Sequence, residues 1–336
     1  LSGETDSRRE KKVTNTKEIA GSNRGSNSLE VSVNVLTTFF VSVSMGMLAV
    51  LVPVHLSELE FNDATIGAAL SFETLASLLI CLLIPNILRL VGLRIGFLLS
   101  MLLRVPSALL LPFLTDLSAM MLVIFVHGMG CYTLLVLMQT WVNTIQFKGN
   151  KGLMVALYST AISVGFAVGP IVVNMVGNNP EEWASIKALF DFVSANTGLV
   201  LSSDKSVAFG IAAVLSAFGM LPVLVFWAFI PNVSFGGTAK IWKAITQNKG
   251  AMFSMAMAGV SNFSVAAFIT IYGLKNGLSF ADASLLLTAF MLGSLLLEVP
   301  IAALSDYFDR RYFIVGCTLA CLVCAVYLPI AIYTPG

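Results

Sequence analysis

Uninterrupted apolar runs of about 20 residues recur along most of this chain, and no other feature restricts its fold so strongly. A helix of that length crosses a bilayer core of roughly 30 Å at about 1.5 Å per residue. Inside hydrocarbon, each backbone N–H and C=O must be satisfied within the segment, so such runs are read as helices. Hydrophobic residues make up 57% of the chain and charged ones 11%, too few charges to coat a water-soluble surface. The reading is an all-α polytopic membrane protein with nine spans, at about 33–56, 66–88, 95–113, 118–142, 152–176, 207–230, 251–273, 283–304 and 312–333.

The positions of the charges, rather than their +1 sum, carry the information in a membrane chain. With the amino end cytoplasmic, fifteen of the 19 Lys and Arg fall on the inside; Lys187, Lys205 and Lys275 fall outside and Arg104 within a span. Every hairpin then obeys the positive-inside rule, which puts the protein in the cytoplasmic (inner) membrane with its amino terminus inside. Residues 1–30, polar and without apolar periodicity, read as a disordered cytoplasmic tail, not as a cleavable signal peptide.

The rest of the organisation is a repeat. Span 2, a short basic loop at Arg89–Arg94 and span 3 align with span 8, the knot at Ser305–Arg311 and span 9, six spans later. Two parallel six-helix bundles are one recurrent transporter plan. On that plan, 31–232 is the first bundle, 233–250 a cytoplasmic linker and 251–336 the first three spans of a second bundle, truncated at its carboxy end.

Ionisable groups inside spans are functional candidates, because burying a charge in hydrocarbon costs several kcal/mol. Glu73 lies roughly 10 Å below the outer edge and Arg104 roughly 14 Å above the inner one, a difference in level of roughly 6 Å that an Arg side chain can bridge. A Glu73–Arg104 pair is therefore expected, either as a fastener of spans 2 and 3 or with Glu73 facing a cavity and binding a proton or cation. His127 is read as a packing histidine or a proton relay. Glu298 lies near the cytoplasmic end of span 8, within reach of the charge knot. There, Asp306 and Asp309 with Arg310 and Arg311 suggest a cytoplasmic gate, against the plainer role of anchoring topology. Cys81, Cys131, Cys317, Cys321 and Cys324 all lie in apolar runs and read as packing residues; no metal site is assigned.

At this point the chain resembles the major facilitator superfamily. Ser305-Asp306-Tyr307-Phe308-Asp309-Arg310-Arg311 is similar to its loop signature, in the variant of the YcaD-like bacterial branch. Gly128-Met129-Gly130-Cys131, Gln139-Thr140-Trp141-Val142-Asn143 and Asn150-Lys151-Gly152 resemble further patterns of that branch. The resemblance implies twelve helices in two bundles around a central cavity, with the knot facing span 5 near Gly152. The departures are specific: Arg89 stands where the second repeat has Asp306, and Ile124 where many members carry Arg. Gly165 and Gly169-Pro170 are similar to the end of the antiporter motif, and small-residue packing explains them equally well. Gly128, Gly130, Gly165, Gly169 and Pro170 are therefore read as helix-packing positions.

The function expected is a secondary active transporter of a small solute by alternating access, with a proton as candidate coupling ion. The alternative is a non-transporting receptor or scaffold of the same fold. An enzyme is not expected: the chain has two histidines, His55 and His127, and no His-Glu-x-x-His helix. No phosphate loop for ATP is present in the sequence. The expected partners are a solute and the lipid bilayer, with no nucleic acid and no cofactor, and the protein is read as a monomer.

Overall fold

A computed structural model describes residues 29–144, 151–178, 183–197, 205–227, 230, 246–247, 249–305 and 310–333. Regular structure among them is helical throughout. Helix α1 is described over Leu29–Glu58. It is followed by α2 (Asp63–Leu110) with a 3-10 turn at Leu111–Phe113, α3 (Leu117–Thr144), α4 (Lys151–Asn178), α5 (Ala184–Thr197) and α6 (Ser206–Val225). Then come α7 (Lys249–Lys275), α8 (Phe280–Ser305) and α9 (Arg310–Tyr333). Seven of these, α1–α4 and α6–α8, are long and apolar enough to cross a membrane. The chain divides into two compact units, Leu1–Met291 and Leu292–Gly336, the second holding the end of α8 and α9.

The nine-span reading and the structure differ at the loop expected between spans 2 and 3. Spans 2 and 3 are one continuous helix, α2, broken at Gly92, where φ is 74° and ψ 171°. A side chain is strained at that φ and glycine is not, so one residue reverses the chain and no loop is needed. A Cβ on Gly96 would stand 2.8 Å from the Leu88 side chain, which shows the arms 63–91 and 93–110 folded back on each other. The basic stretch expected as a loop is thus helical on both sides of Gly92, and Arg94 donates to the Ile230 carbonyl (3.1 Å) just beyond α6. Helix α9, Arg310–Tyr333, lies over the ninth expected span, and Val315–Tyr327 is its described apolar stretch.

Glycines set the closest helix contacts in the first unit. A Cβ on Gly169 would lie 2.5 Å from the Met47 N and 2.6 Å from the Val43 O, and one on Gly165 2.6 Å from the Phe39 O. Helices α4 and α1 therefore meet backbone to backbone, Gly46 facing Phe166 from the other side. Buried Pro170 continues the same face. Polar contacts add to the seams: Ser44 and Ser216 share a hydrogen bond (2.6 Å) between α1 and α6, and Asn34 donates to the Met138 carbonyl (3.1 Å) on α3.

Two apolar clusters result. One gathers Met47, Leu51, Ile66, Met120 and Phe209; the other gathers Leu88, Phe97, Leu134, Trp141 and Met154. Along α2 and α3, Glu73, Arg104, His127 and Cys131 fall between the two, in a polar layer. On the outer faces Leu78, Leu90, Leu102, Leu122 and Val225 are exposed, as lipid contact requires and an aqueous surface would not favour.

Between α4 and α6 the chain forms α5, with Trp183 just before it packed against the first cluster. Asp116 caps α3: its carboxylate accepts from the Ala119 N–H (2.9 Å) and from the Ser118 hydroxyl. These hydrogen bonds hold its carboxyl below the ordinary 3.8, the Ser118 bond contributing most. A depressed folded value contributes stability above the ordinary value that is lost as pH falls through the folded one. Asp116→Ala is therefore expected to lower the Tm slightly at neutral pH, with the difference from wild type shrinking as pH falls below 3.8 and vanishing below the depressed folded value. Melting curves of both proteins across acidic pH measure this.

Candidate functional site

Helices α1–α4 and α7 enclose a cavity of about 560 Å³, a size suited to a small organic solute. Its wall is largely apolar, with Phe166, Phe263 and Phe268 among the lining residues. Glu73 is the carboxylate among them, accompanied by Ser71, Thr74, His127 and Tyr132.

What carries these groups to the wall is the Gly128-Met129-Gly130 step of α3. A Cβ on Gly128 would lie 3.0 Å from the Glu73 Cγ, and one on Gly130 2.7 Å from the Ser100 O and 2.9 Å from the Arg104 N. Each glycine thus admits one arm of α2. His127 and Cys131, four residues apart on one helical face, flank the step and meet Glu73. One donor atom each from Glu73, His127 and Cys131 lies within 4.8 Å of the other two.

Arg104 sits behind this group, 1% exposed. Its Nη2 donates to the Val41 carbonyl of α1 (2.9 Å), while its Nε and Nη1 are buried without a hydrogen-bond partner. No ion pair within 4 Å joins Arg104 to Glu73 among the described residues, although the two charges interact through space. The structure places Glu73 and Arg104 in one layer with His127 beside them, but leaves a gap where direct contact of the two charges was expected. The gap follows from α3, whose close approach to both arms of α2 at Gly128 and Gly130 places His127 and Cys131 beside the two charges.

Cys131 is the member of the cluster that the sequence reading passed over as packing. The usable signal was its spacing: residues 127 and 131 share a face, and the two glycines between them press that face on the ionisable arms of α2.

Asp306 and Asp309 lie outside the described residues, as do the side chains of Glu298, Arg310 and Arg311. The described contacts between early and late helices lie elsewhere, at the end where α1 joins α2 and α7 joins α8. Lys275 on α7 pairs with Asp63 on α2 (2.6 Å), both half exposed. Lys205 pairs with Glu58 and stands 4.5 Å over the Phe280 ring of α8. Thr288 of α8 donates to the Ala167 carbonyl of α4 (3.0 Å), and Ser284 to that of Pro170 (3.5 Å).

Residues 35–249 match the family model described as Major Facilitator Superfamily. The chain belongs to that superfamily. The match covers five of the membrane-crossing helices, and with it the glycine seams and the α2–α3 cluster. Over 203 residues the chain is 24% identical to a protein of Bacillus subtilis (strain 168) named as the uncharacterized MFS-type transporter YfkF. That alignment takes in 59% of this chain and 46% of the relative, so the chain matches about half of that protein's length. MFS proteins are multi-pass membrane proteins that carry small solutes, which agrees with the apolar helices and the cavity described here.

Proposed function

We propose that this MFS protein is a secondary transporter that moves a small, largely apolar solute by alternating access, with Glu73 as the proton-binding group that couples the cycle. The observation that carries the reading is the cavity itself: a pocket of about 560 Å³ with aromatic walls and one carboxylate. Such walls reward apolar surface at about 25 cal/mol per Å² removed from water. Glu73 faces the cavity from a half-buried position, with the charge of Arg104 behind it. A proton taken up there changes the charge of the chamber that the solute occupies.

Alternating access needs a closure on each side. The Asp63–Lys275 pair, Lys205 over the Phe280 ring and the α4–α8 hydrogen bonds supply one side in this reading. The charge knot with Asp306, Asp309, Arg310, Arg311 and Glu298 supplies the other, cytoplasmic side.

The decisive experiment reconstitutes the full-length protein in liposomes and follows labelled apolar solutes with and without a pH gradient. Gradient-stimulated flux is expected for the wild type, and flux insensitive to the gradient for Glu73→Gln. Flux in both proteins that ignores the gradient would remove Glu73 from coupling, and no flux for any solute in a broad panel would defeat the transport reading. Exposed pairs stabilise weakly, by about 0–1 kcal/mol, so Lys275→Ala is expected to leave the fold intact. Cysteines placed at 63 and 275 in an otherwise cysteine-free protein, bridged by a flexible bifunctional reagent, are expected to arrest flux until the bridge is cleaved. Continued flux with the bridge in place counts against a moving closure at that end.

A further inference from the structure

We propose that Glu73, His127 and Cys131 form a binding site for a borderline d-block divalent cation of the Zn²⁺ class inside the solute cavity. The inference rests on the cavity of the proposed transporter but not on transport. Three donor types that such cations favour, a carboxylate oxygen, an imidazole nitrogen and a thiol sulfur, converge with their donor atoms within 4.8 Å of one another. Zn²⁺ bonds of about 2.0–2.3 Å set donor–donor edges near 3.3–3.8 Å in a tetrahedron, so the cluster needs to close by roughly 1 Å. Rotation of the Glu73 side chain, attached to a half-buried residue at the cavity wall, covers that distance.

A second observation points the same way. His127 is 5% exposed and its Nδ1 is buried without a hydrogen-bond partner.

Three protein ligands leave the fourth position open to the cavity, as in sites that exchange a ligand rather than purely structural ones. Loading is written as M²⁺ + Cys131–SH → M²⁺–S–Cys131 + H⁺, with the Glu73 carboxylate and a neutral His127 completing the set. The carboxylate and thiolate offset the charge of the cation. Arg104 then leaves one surplus positive charge beside the loaded site, which an anion in the open position offsets.

Co²⁺ is the probe, since its thiolate charge-transfer band reports sulfur ligation directly. The full-length protein is solubilised in detergent with Cys81, Cys317, Cys321 and Cys324 replaced by serine, leaving Cys131 as the thiol of the described chain. One equivalent of Co²⁺ is expected to produce the band, one proton is expected to be released, and Zn²⁺ is expected to bleach the band. Cys131→Ser is expected to abolish it, while His127→Gln and Glu73→Gln each weaken binding by roughly tenfold or more. Absence of the band, or its survival in Cys131→Ser, overturns the site. Should the serine background fail to fold, the wild-type melting curve decides: Zn²⁺ is expected to raise its Tm, and an equal rise in Glu73→Gln and His127→Gln also overturns the site. Because binding is read without flux, loss of the metal site leaves the transport reading intact, and failed transport leaves the metal site intact.

Discussion

Gly169→Ala is expected to lower the melting temperature of the detergent-solubilised protein by several degrees, and Gly169→Leu to prevent recovery of monodisperse protein. The added carbon has nowhere to go: it would meet the Met47 N, the Gly46 C and the Val43 O, all backbone atoms of α1, at 2.5–2.6 Å. A flexible side chain could rotate away, but a helix backbone moves as a body. Separating α1 from α4 there also loosens Gly46 against Phe166 and Gly165 against Phe39. Overpacking of this kind costs about 1–3 kcal/mol, and the backbone contact puts this position at the upper end. Gly259→Ala on α7 is the matched control, because a Cβ there meets nothing within 4 Å. Its Tm is expected to stay within a degree of the wild type. Thermal melts of the three variants, with size-exclusion profiles, decide it, and equal behaviour of Gly169→Ala and Gly259→Ala would show that the α1–α4 seam is slack.

Legibility differed by kind of information. The helices were readable because apolar run length is intrinsic to each segment, and α1, α3, α4, α6, α7 and α8 fall on predicted spans. The Gly92 reversal was not: Arg89 and Arg94 looked like a loop, yet one glycine at positive φ turns α2 on itself. The shared level of Glu73 and Arg104 followed from counting residues along two neighbouring helices. Their failure to touch did not, because the approach of a third helix at Gly128 and Gly130 decides side-chain distances. Cys131 shows the same limit. An apolar helix hides a thiol among packing residues until the facing helix is known, and then the thiol stands beside a carboxylate and an imidazole. The cavity contribution of α7, through Gly259, Phe263 and Phe268, is likewise a product of tertiary packing that periodicity along α7 does not announce.

Arg104→Met is expected to be among the most damaging single substitutions in the described chain, and part of the damage is expected to be reversed by a second substitution at Glu73. Arg104 is 1% exposed, and its guanidinium has one hydrogen bond, to the Val41 carbonyl. Removing it strips that bond and leaves Glu73 without the cation that interacts with it across the polar layer. Deleting one partner of a buried charge pair in contact costs about 3–5 kcal/mol, more than replacing both by uncharged groups, and the gap between Glu73 and Arg104 puts this case at or below the lower end of that range. Glu73→Gln alone leaves the arginine buried with Nε and Nη1 still lacking partners, and is expected to cost less because Glu73 borders the cavity, where water can reach it. In the double variant Glu73→Gln/Arg104→Met neither charge remains, so its Tm is expected to exceed that of Arg104→Met alone. The measurement is a double-mutant cycle on stability, with a coupling of roughly 1–3 kcal/mol as the expected result. Coupling near zero would mean that Arg104 holds α2 to α1 through Val41 and does nothing for Glu73. The carboxylate would then face the solute cavity electrostatically unsupported, and its place in both coupling and cation binding would have to rest on His127 and Cys131.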